Sequence, residues 1–461
     1  MRRDDSPRRQ LHLNINVLHS GFVPSAWRLP EADPAAFFDI AHFVRIAQLA
    51  EAAKFDGVFL ADNAAVVEQI DFRPLLALEP TMVLTAIAAA TSHIGLIATA
   101  STSYNEPFNI ARRFATLDHL SKGRAGWNIV TTADLASARN FGKAEVAEHA
   151  HRYARASEFT DIVKALWDSW DDDAFIGDKE AGRFVDTGKV NPIGHQGRFF
   201  NVAGPLNLPR PPQGHPVLIQ AGGSSDGQDL AARHAEAVFS ASQSLEESQA
   251  YRRTLNERAQ AYGRGPHAVK VLAGLTTIIG ATEAEAIARR SQLVDLIPWQ
   301  YSLNRLAGTL GIDPARLTLD ERLPSALTVP GGGKGNHTFF HATIAHARRH
   351  DRTVRELIYD LAGGGGHRVV VGTPEQVADD IETWFRAEAA DGFNLMPDAL
   401  PDGFTHFVEQ VVPILQRRGV FRTEYEGRTL RQHLGLRRPP DRSEDRAARR
   451  AGSPSAVRSA A

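Results

Sequence analysis

Leu11, Leu13, Ile15 and Val17 alternate with His12, Asn14 and Asn16, the two-residue period of a strand whose faces differ. Seven further short apolar runs follow: FDGVFLAD (55–62), IGLIATAS (94–101), RAGWNIVTT (124–132), PVLIQAG (216–222), AEAVFSA (235–241), VKVLAGLTTIIG (269–280) and DGFNLMP (391–397). Helical patterns lie between them. Phe159, Ile162, Val163, Leu166, Trp167 and Trp170 share one face; Val377, Ile381, Trp384 and Phe385 form a stripe behind the capping-box pattern Thr373-Pro-Glu-Gln376. Strands separated by helices imply parallel βαβ units. Eight of them favour an α/β fold, a closed (β/α)8 TIM barrel, with an open doubly wound sheet as the alternative.

Two stretches break this rhythm. Residues 171–212, rich in Gly, Pro and Asp, read as a loop or small hairpin over the barrel mouth; residues 298–367 form a longer excursion containing PGGGKGNH and AGGGGH, read as a lid. Both decorate one barrel domain spanning 10–437. Residues 1–9 and 438–461 hold too few apolar side chains to pack and read as disordered.

Bulk chemistry narrows the function. A net charge of −2 over 461 residues provides no global field toward nucleic acid or an anionic membrane. With no cysteine, thiolate chemistry, disulfides and Cys–zinc sites are out. LHLNINVL is too short and too alternating for a signal-peptide core, and no run of about eighteen apolar residues exists. The expectation is a cytoplasmic protein.

Polar residues gather where strands end, which in a parallel barrel is where the active site is built. Asp62 and Asn63 end the second run, Thr99, Ser101 and Ser103 the third, Asn128, Thr131 and Thr132 the fourth. Any one of them could be only a helix cap or turn residue; three successive polar strand ends point to a site for a polar small molecule. In QAGGSSDGQDLAARHAEAVF (220–239) a Gly- and Ser-bearing turn joins strand to helix, which suits either an ordinary tight turn or an anion at the helix start. It is neither a Walker loop nor a GxGxxG dinucleotide turn. His149 and Tyr153, four apart, share the face of a helix near its start, as a solvated pair or as anion ligands. His337, His341, His346 and His350 form two i,i+4 pairs lying about 180° apart around a helix, so they cannot converge on a metal, and no HExxH is present. No metal site is expected. A GxSxG hydrolase elbow is also missing.

FDGVFLADN, the stretch from Glu79 to Thr131, HAHRYARASEF, QAGGSSDG, VVVGTPEQVAD and the segment from DGFNLMPDALPDGF to GLRRP occur in order over about residues 11–438. Together they resemble the flavin-dependent monooxygenases of the bacterial-luciferase-like superfamily, in the branch containing nitrilotriacetate monooxygenase component A, pristinamycin IIA synthase and dibenzothiophene-sulfone monooxygenase. The resemblance implies a (β/α)8 barrel that takes reduced FMN (FMNH2) from a separate NAD(P)H:flavin reductase. It also implies transfer of one oxygen atom of O2 to a small organic substrate through a flavin C4a-(hydro)peroxide. Asp62, Thr99 or Ser103, and Asn128 would then lie near the flavin ring and ribityl chain, and His149, Tyr153 and Ser224 would hold the phosphate. Relatives commonly carry a His just before an Ala-Trp-Arg; here Val23 and Pro24 stand there. His19 and His337 are left as catalytic candidates. A homo-oligomer is expected. The rival readings are an F420-dependent oxidoreductase on the same barrel and a non-catalytic flavin- or ligand-binding protein.

Overall fold

A computed structural model of the chain describes residues 9–66, 70–74, 78–327, 337–361 and 366–441. Eight parallel strands close into a barrel: β1 His12–Asn16, β2 Gly57–Leu60, β3 Gly95–Ser101, β4 Ala125–Val130, β5 Val217–Gln220, β6 Ala237–Ser240, β7 Lys270–Ile279 and β8 Gly392–Pro397. Closure is made by β8, which pairs with β7 on one side (Gly274 opposite Asn394) and β1 on the other (Asn14 opposite Asn394). All eight sequence-predicted strands are these strands, and the fold is the (β/α)8 barrel. A further parallel strand, Arg368–Gly372, continues off the far half of β7 from Leu275 to Ile279.

The helices that follow the strands are α1 Ile40–Ala52, α2 Pro80–Ala90, α3 Pro107–Leu120, α4 His149–Trp167, α5 Ser225–His234, α6 Leu245–Ala261 and α7 Glu283–Asp295. Three more, α8 Trp299–Leu310, α9 His337–Arg349 and α10 Val354–Leu361, belong to the long excursion, and α11 Pro374–Arg386 precedes β8. Helix α11 begins with the expected capping box: Thr373 and Gln376 each satisfy the other's backbone N–H.

The alternation in β1 sorts two environments. Leu11, Leu13 and Ile15 are fully buried in the shell between strands and helices, with Phe114, Trp127, Phe159 and Trp167. His12, Asn14 and Asn16 lie on the opposite face. Inside the barrel, Phe59, Ile97, Ile219 and Leu272 pack with Leu430 and Leu434 of the C-terminal segment. Leu430 occupies the space beside Gly95, the first residue of β3, that a side chain there would fill. The amino-terminal end of the barrel is thereby plugged, and the carboxyl-terminal end is left for a ligand.

Residues 171–212 pair as two short ribbons, Phe175–Asp178 with Arg183–Val185 and His195–Gln196 with Asn201–Val202. They do not cover the mouth as expected. Glu158 on α4 accepts the amides of Phe199 (3.2 Å) and Phe200 (3.0 Å), and Trp170, just past the helix, donates to the Leu206 carbonyl at 2.7 Å. This segment leaves the lower end of α4 and returns to the start of β5, so the chain path holds it against the flank of α4. The excursion after α7 has a small core of its own around Leu306, Leu310, Phe340, Leu357 and Ile358, and residues of α9 and α10 wall a cavity with Ser224 and Ser225.

The ends of the domain also differ from expectation. Arg9, placed in the loose N-terminus, donates to the Phe385 and Ala390 carbonyls at 2.6 Å each. Arg438, placed in the tail, pairs with Asp172 at 2.5 Å. Residues 442–461 lie outside the described residues. Among the described residues no helix is long and apolar enough to cross a membrane.

Candidate functional site

The sequence-predicted residues fall into two groups at the carboxyl-terminal end. In the first, Asn128 on β4 donates from Nδ2 to Thr99 Oγ1 on β3 at 2.9 Å, the two being register partners and both buried. Asn128 Oδ1 is buried without a partner among the described residues. The same holds for Asn14 Oδ1 and Asn16 Oδ1 on β1, for Thr276 Oγ1 on β7, and for both amide atoms of Asn394 on β8, all on strand faces opposite the outer shell. Buried polar atoms are normally paired, so a ring of unpaired neutral donors and acceptors marks a surface shaped for a polar guest. Ser103 lies just beyond, where its amide donates to Ser101 Oγ at 3.0 Å while that hydroxyl meets Thr132 Oγ1 at 2.6 Å. Asp62 follows β2 and is exposed, so it stands at the rim and not in the ring; partial loss of water, then the Glu79 carboxylate, raises its pKa.

The second group gathers at the start of α5. Asn128 pairs in register with Ile219, and the strand runs on through Gln220 and the glycine turn to Ser224. Ser224 is the N-cap, its Oγ accepting the Gly227 amide at 3.1 Å. A Cβ on Gly227 would stand 3.1 Å from Ser224 Oγ and 3.2 Å from Tyr153 Oη, so Tyr153 and Ser224 converge on one spot that only glycine leaves open. His149 lies beside Tyr153 with ring centroids 4.7 Å apart and planes tilted by 43°, and its Nδ1 lies 2.7 Å from Asp226 Oδ2. Tyr251 on α6 donates its hydroxyl to the Gly222 carbonyl at 3.4 Å, tying the turn down. Hydroxyls, a histidine and a helix N-terminus around a glycine turn make a cradle suited to an anion. The arginines on α4 stay out of it, Arg155 donating to the Thr102 carbonyl and Arg152 to the Ala147 carbonyl.

The sequence reading missed His367. It sits at the end of the AGGGGH run, yet its ring stacks on Phe239 of β6 (4.9 Å, interplanar 6°) and fills the space above Gly274 of β7. Desolvation, then Arg305, pushes its pKa down to about 4, so it is neutral near pH 7. The only sequence signal was a histidine following four glycines, which reads equally well as part of a loop. A cavity of about 880 Å³ runs from Ser224 and Ser225 under α9 and α10 to His367. That lies in the upper part of the range for small-molecule sites, roughly 300–1,000 Å³. A second cavity of about 270 Å³ lies on the other side of Leu361 and Gly366, walled by Pro24, Tyr301 and Arg305 among others.

Of the two catalytic candidates, His19 stands apart from these groups. His19 is buried in the loop after β1, in a left-handed backbone conformation (φ 49°) and edge-on to Phe37 at 6.2 Å. His337 opens α9, and its side chain lies outside the described part. Pro24, at the place where a His was looked for, lines the smaller cavity, and the adjacent Val23 packs with Leu293 and Tyr301.

The model of the luciferase-like monooxygenase family matches residues 20–391. The chain is 45% identical over 438 residues to the N-acetyl-S-(2-succino)cysteine monooxygenase of Bacillus subtilis (strain 168), covering 95% of this chain and 99% of that one. It is 46% identical over 444 residues to nitrilotriacetate monooxygenase component A of Aminobacter aminovorans, covering 94% and 97%. Among solved structures, a riboflavin lyase with modified FMN and riboflavin superposes with a TM-score of 0.81 at 32% identity, covering 94% and 97%. A barrel with its polar ring and anion cradle at the carboxyl-terminal end, matched along nearly its whole length, belongs to the luciferase-like monooxygenase family, and the protein is a flavin-dependent monooxygenase.

Proposed function

We propose that the protein is the oxygenase component of a two-component system: it takes reduced FMN from a separate NAD(P)H:flavin reductase and puts one oxygen atom of O2 into a small organic substrate. The observation that carries this reading is the pairing of an anion cradle at Ser224, Tyr153 and His149 with a ring of unpaired neutral groups in the barrel. FMN has both parts, a phosphate and a ring rich in carbonyl and N–H groups. A relative whose name makes it component A, and a riboflavin lyase solved with modified FMN, support the assignment.

When bound, reduced FMN supplies the electrons that activate dioxygen. The residues of this chain have other tasks. Ser224 Oγ and the first-turn amides of α5 hold the phosphate with Tyr153 Oη. His149, its Nδ1 turned to Asp226, would join them at the phosphate. Asn128, held by Thr99, and Asn394 offer neutral hydrogen bonds to the ring, with Ser103 and Asp62 toward the ribityl chain. Phe239 and the neutral His367 form a flat wall, and α8–α10 cover the mouth and exclude water, which favours transfer to substrate over discharge of oxygen as hydrogen peroxide.

Anaerobic titration with reduced FMN, followed by O2, tests the proposal. Saturable binding and oxygen uptake dependent on a flavin reductase are the expected results. Absence of binding in both redox states, or binding unchanged in Ser224→Ala with Tyr153→Phe, overturns it.

A further inference from the structure

We propose that the smaller cavity takes a substrate bearing a carboxylate and that Arg73 and Arg305 hold that group. The inference rests on the oxygenase reading above and names the substrate class for it. Apart from Arg152, which donates to the Ala147 carbonyl, the other buried guanidiniums meet a carboxylate or several carbonyls. Arg252 meets Asp391 at 2.7 Å, Arg422 meets Asp56 at 2.7 Å and Arg210 meets Asp168 at 2.9 Å. Arg124, buried without a carboxylate, is satisfied by the Ala88, Thr91, Ile94 and Ser121 carbonyls and the Thr91 hydroxyl.

Arg73 is different. It is only 9% exposed, and its contacts among the described residues are the Tyr301 hydroxyl and the charge of Arg305, a second guanidinium. Neither arginine has a carboxylate at ion-pair distance among the described residues. Tyr301 is the common neighbour: Phe72, beside Arg73 in sequence, packs edge-on to it at 6.3 Å, and Arg305 follows it by four residues on the same face of α8. A buried cation beside another cation is costly unless an anion joins them.

The space for that anion is the cavity of about 270 Å³ that Arg305 and Tyr301 line, roughly the volume of nine water molecules. Thr309 and Thr343 also line it, and Pro24, Ile297 and Ile358 are among its apolar walls. Gly366 lies in its wall, so its occupant sits next to His367 and to the larger cavity. An acid held by its carboxylate at Arg73 and Arg305 would turn its aliphatic part toward that junction. Guanidinium forks suit this role because they bind carboxylates by two parallel hydrogen bonds.

Isothermal titration of the full-length protein with succinate, tricarballylate and iminodiacetate, each against its methyl ester, tests the site; FMN is titrated separately. At least one acid is expected to bind while its ester does not. Arg305→Gln should weaken that acid at least about tenfold, the loss of one charge-assisted hydrogen bond, with Arg305→Lys retaining part of the affinity. Arg73→Gln should act in the same direction where circular dichroism shows it folded, and FMN affinity should stay within about twofold in the Arg305 variants. The proposal is overturned if no acid binds the wild type, if esters bind as well as acids, or if Arg305→Gln leaves acid affinity unchanged. Acid binding without FMN binding would sink the flavin reading and leave this site standing.

Discussion

Gly227 and Ser224 offer two ways of disturbing one spot. Ser224 both caps α5 and faces the cradle, so Ser224→Ala should cost about 1 kcal/mol of stability as well as flavin affinity. Gly227 is helical, and alanine there is intrinsically favourable by about 1 kcal/mol. Its new methyl, however, would press on the Ser224 and Tyr153 oxygens at 3.1 and 3.2 Å. Gly227→Ala should therefore leave the midpoint of thermal unfolding near that of the wild type while weakening FMN by about tenfold, the worth of one displaced hydrogen bond. Flavin fluorescence titration reads the second effect. Unchanged FMN affinity in Gly227→Ala would remove the cradle from the phosphate's place. The residue types at 149, 153 and 224 were legible in the sequence, but their meeting was not. Some seventy residues separate the members, and only the return of β5 beside β4 brings them together.

Two elements show what patterning does and does not reveal. The capping box of α11 was readable because all its parts are local; Thr373→Ala should cost about 1 kcal/mol in a denaturant melt, with flavin binding unchanged. The ribbon held by Glu158 was not readable, since its partner lies some forty residues upstream on a helix face. Glu158 accepts two amides and lies 3.1 Å from His195. Glu158→Ala leaves those partly buried donors unpaired, so stability should fall by about 1–3 kcal/mol. Limited proteolysis should then cut between 195 and 202 faster than in the wild type. If the ribbon belonged to the mouth, FMN affinity would fall with it; its place on the flank of α4 predicts that affinity holds. The strand Arg368–Gly372 escaped notice for a related reason. Its VVV core could have been strand or helix start until β7 proved long enough to pair with it beyond β8.

At the scale of the molecule, the two ends of the barrel do different work, and acid should separate them. The eight strands were legible because each carries its own period, whereas the plug was not: Leu430 enters the barrel only because glycines at 95 and 126 leave room. Around that plug, Arg422 bridges the Asp56 carboxylate (2.7 Å) and the His433 carbonyl (3.0 Å). Desolvation, partly offset by Asp56, lowers the pKa of His433 to about 4 from an ordinary 6.5. The unfolded chain therefore takes up a proton near pH 6.5 that the folded protein refuses until about pH 4. Stability is lost as pH falls through this window, by about 3 kcal/mol for this one group. Asp56 acts lower down: burial alone would raise its pKa, but Arg422 and then His12 outweigh it and hold it at about 2. Its contribution is present above the unfolded value of 3.8 and disappears as pH drops from there toward 2, a further loss of about 2 kcal/mol. In His433→Gln, denaturant melts between pH 7 and 4 should show a lower starting stability, from the lost contact with the Gly427 carbonyl, but a shallower decline. Parallel curves for variant and wild type would refute the assignment. FMN affinity at neutral pH should be the same in both, because the cradle lies at the opposite end of the strands from the plug.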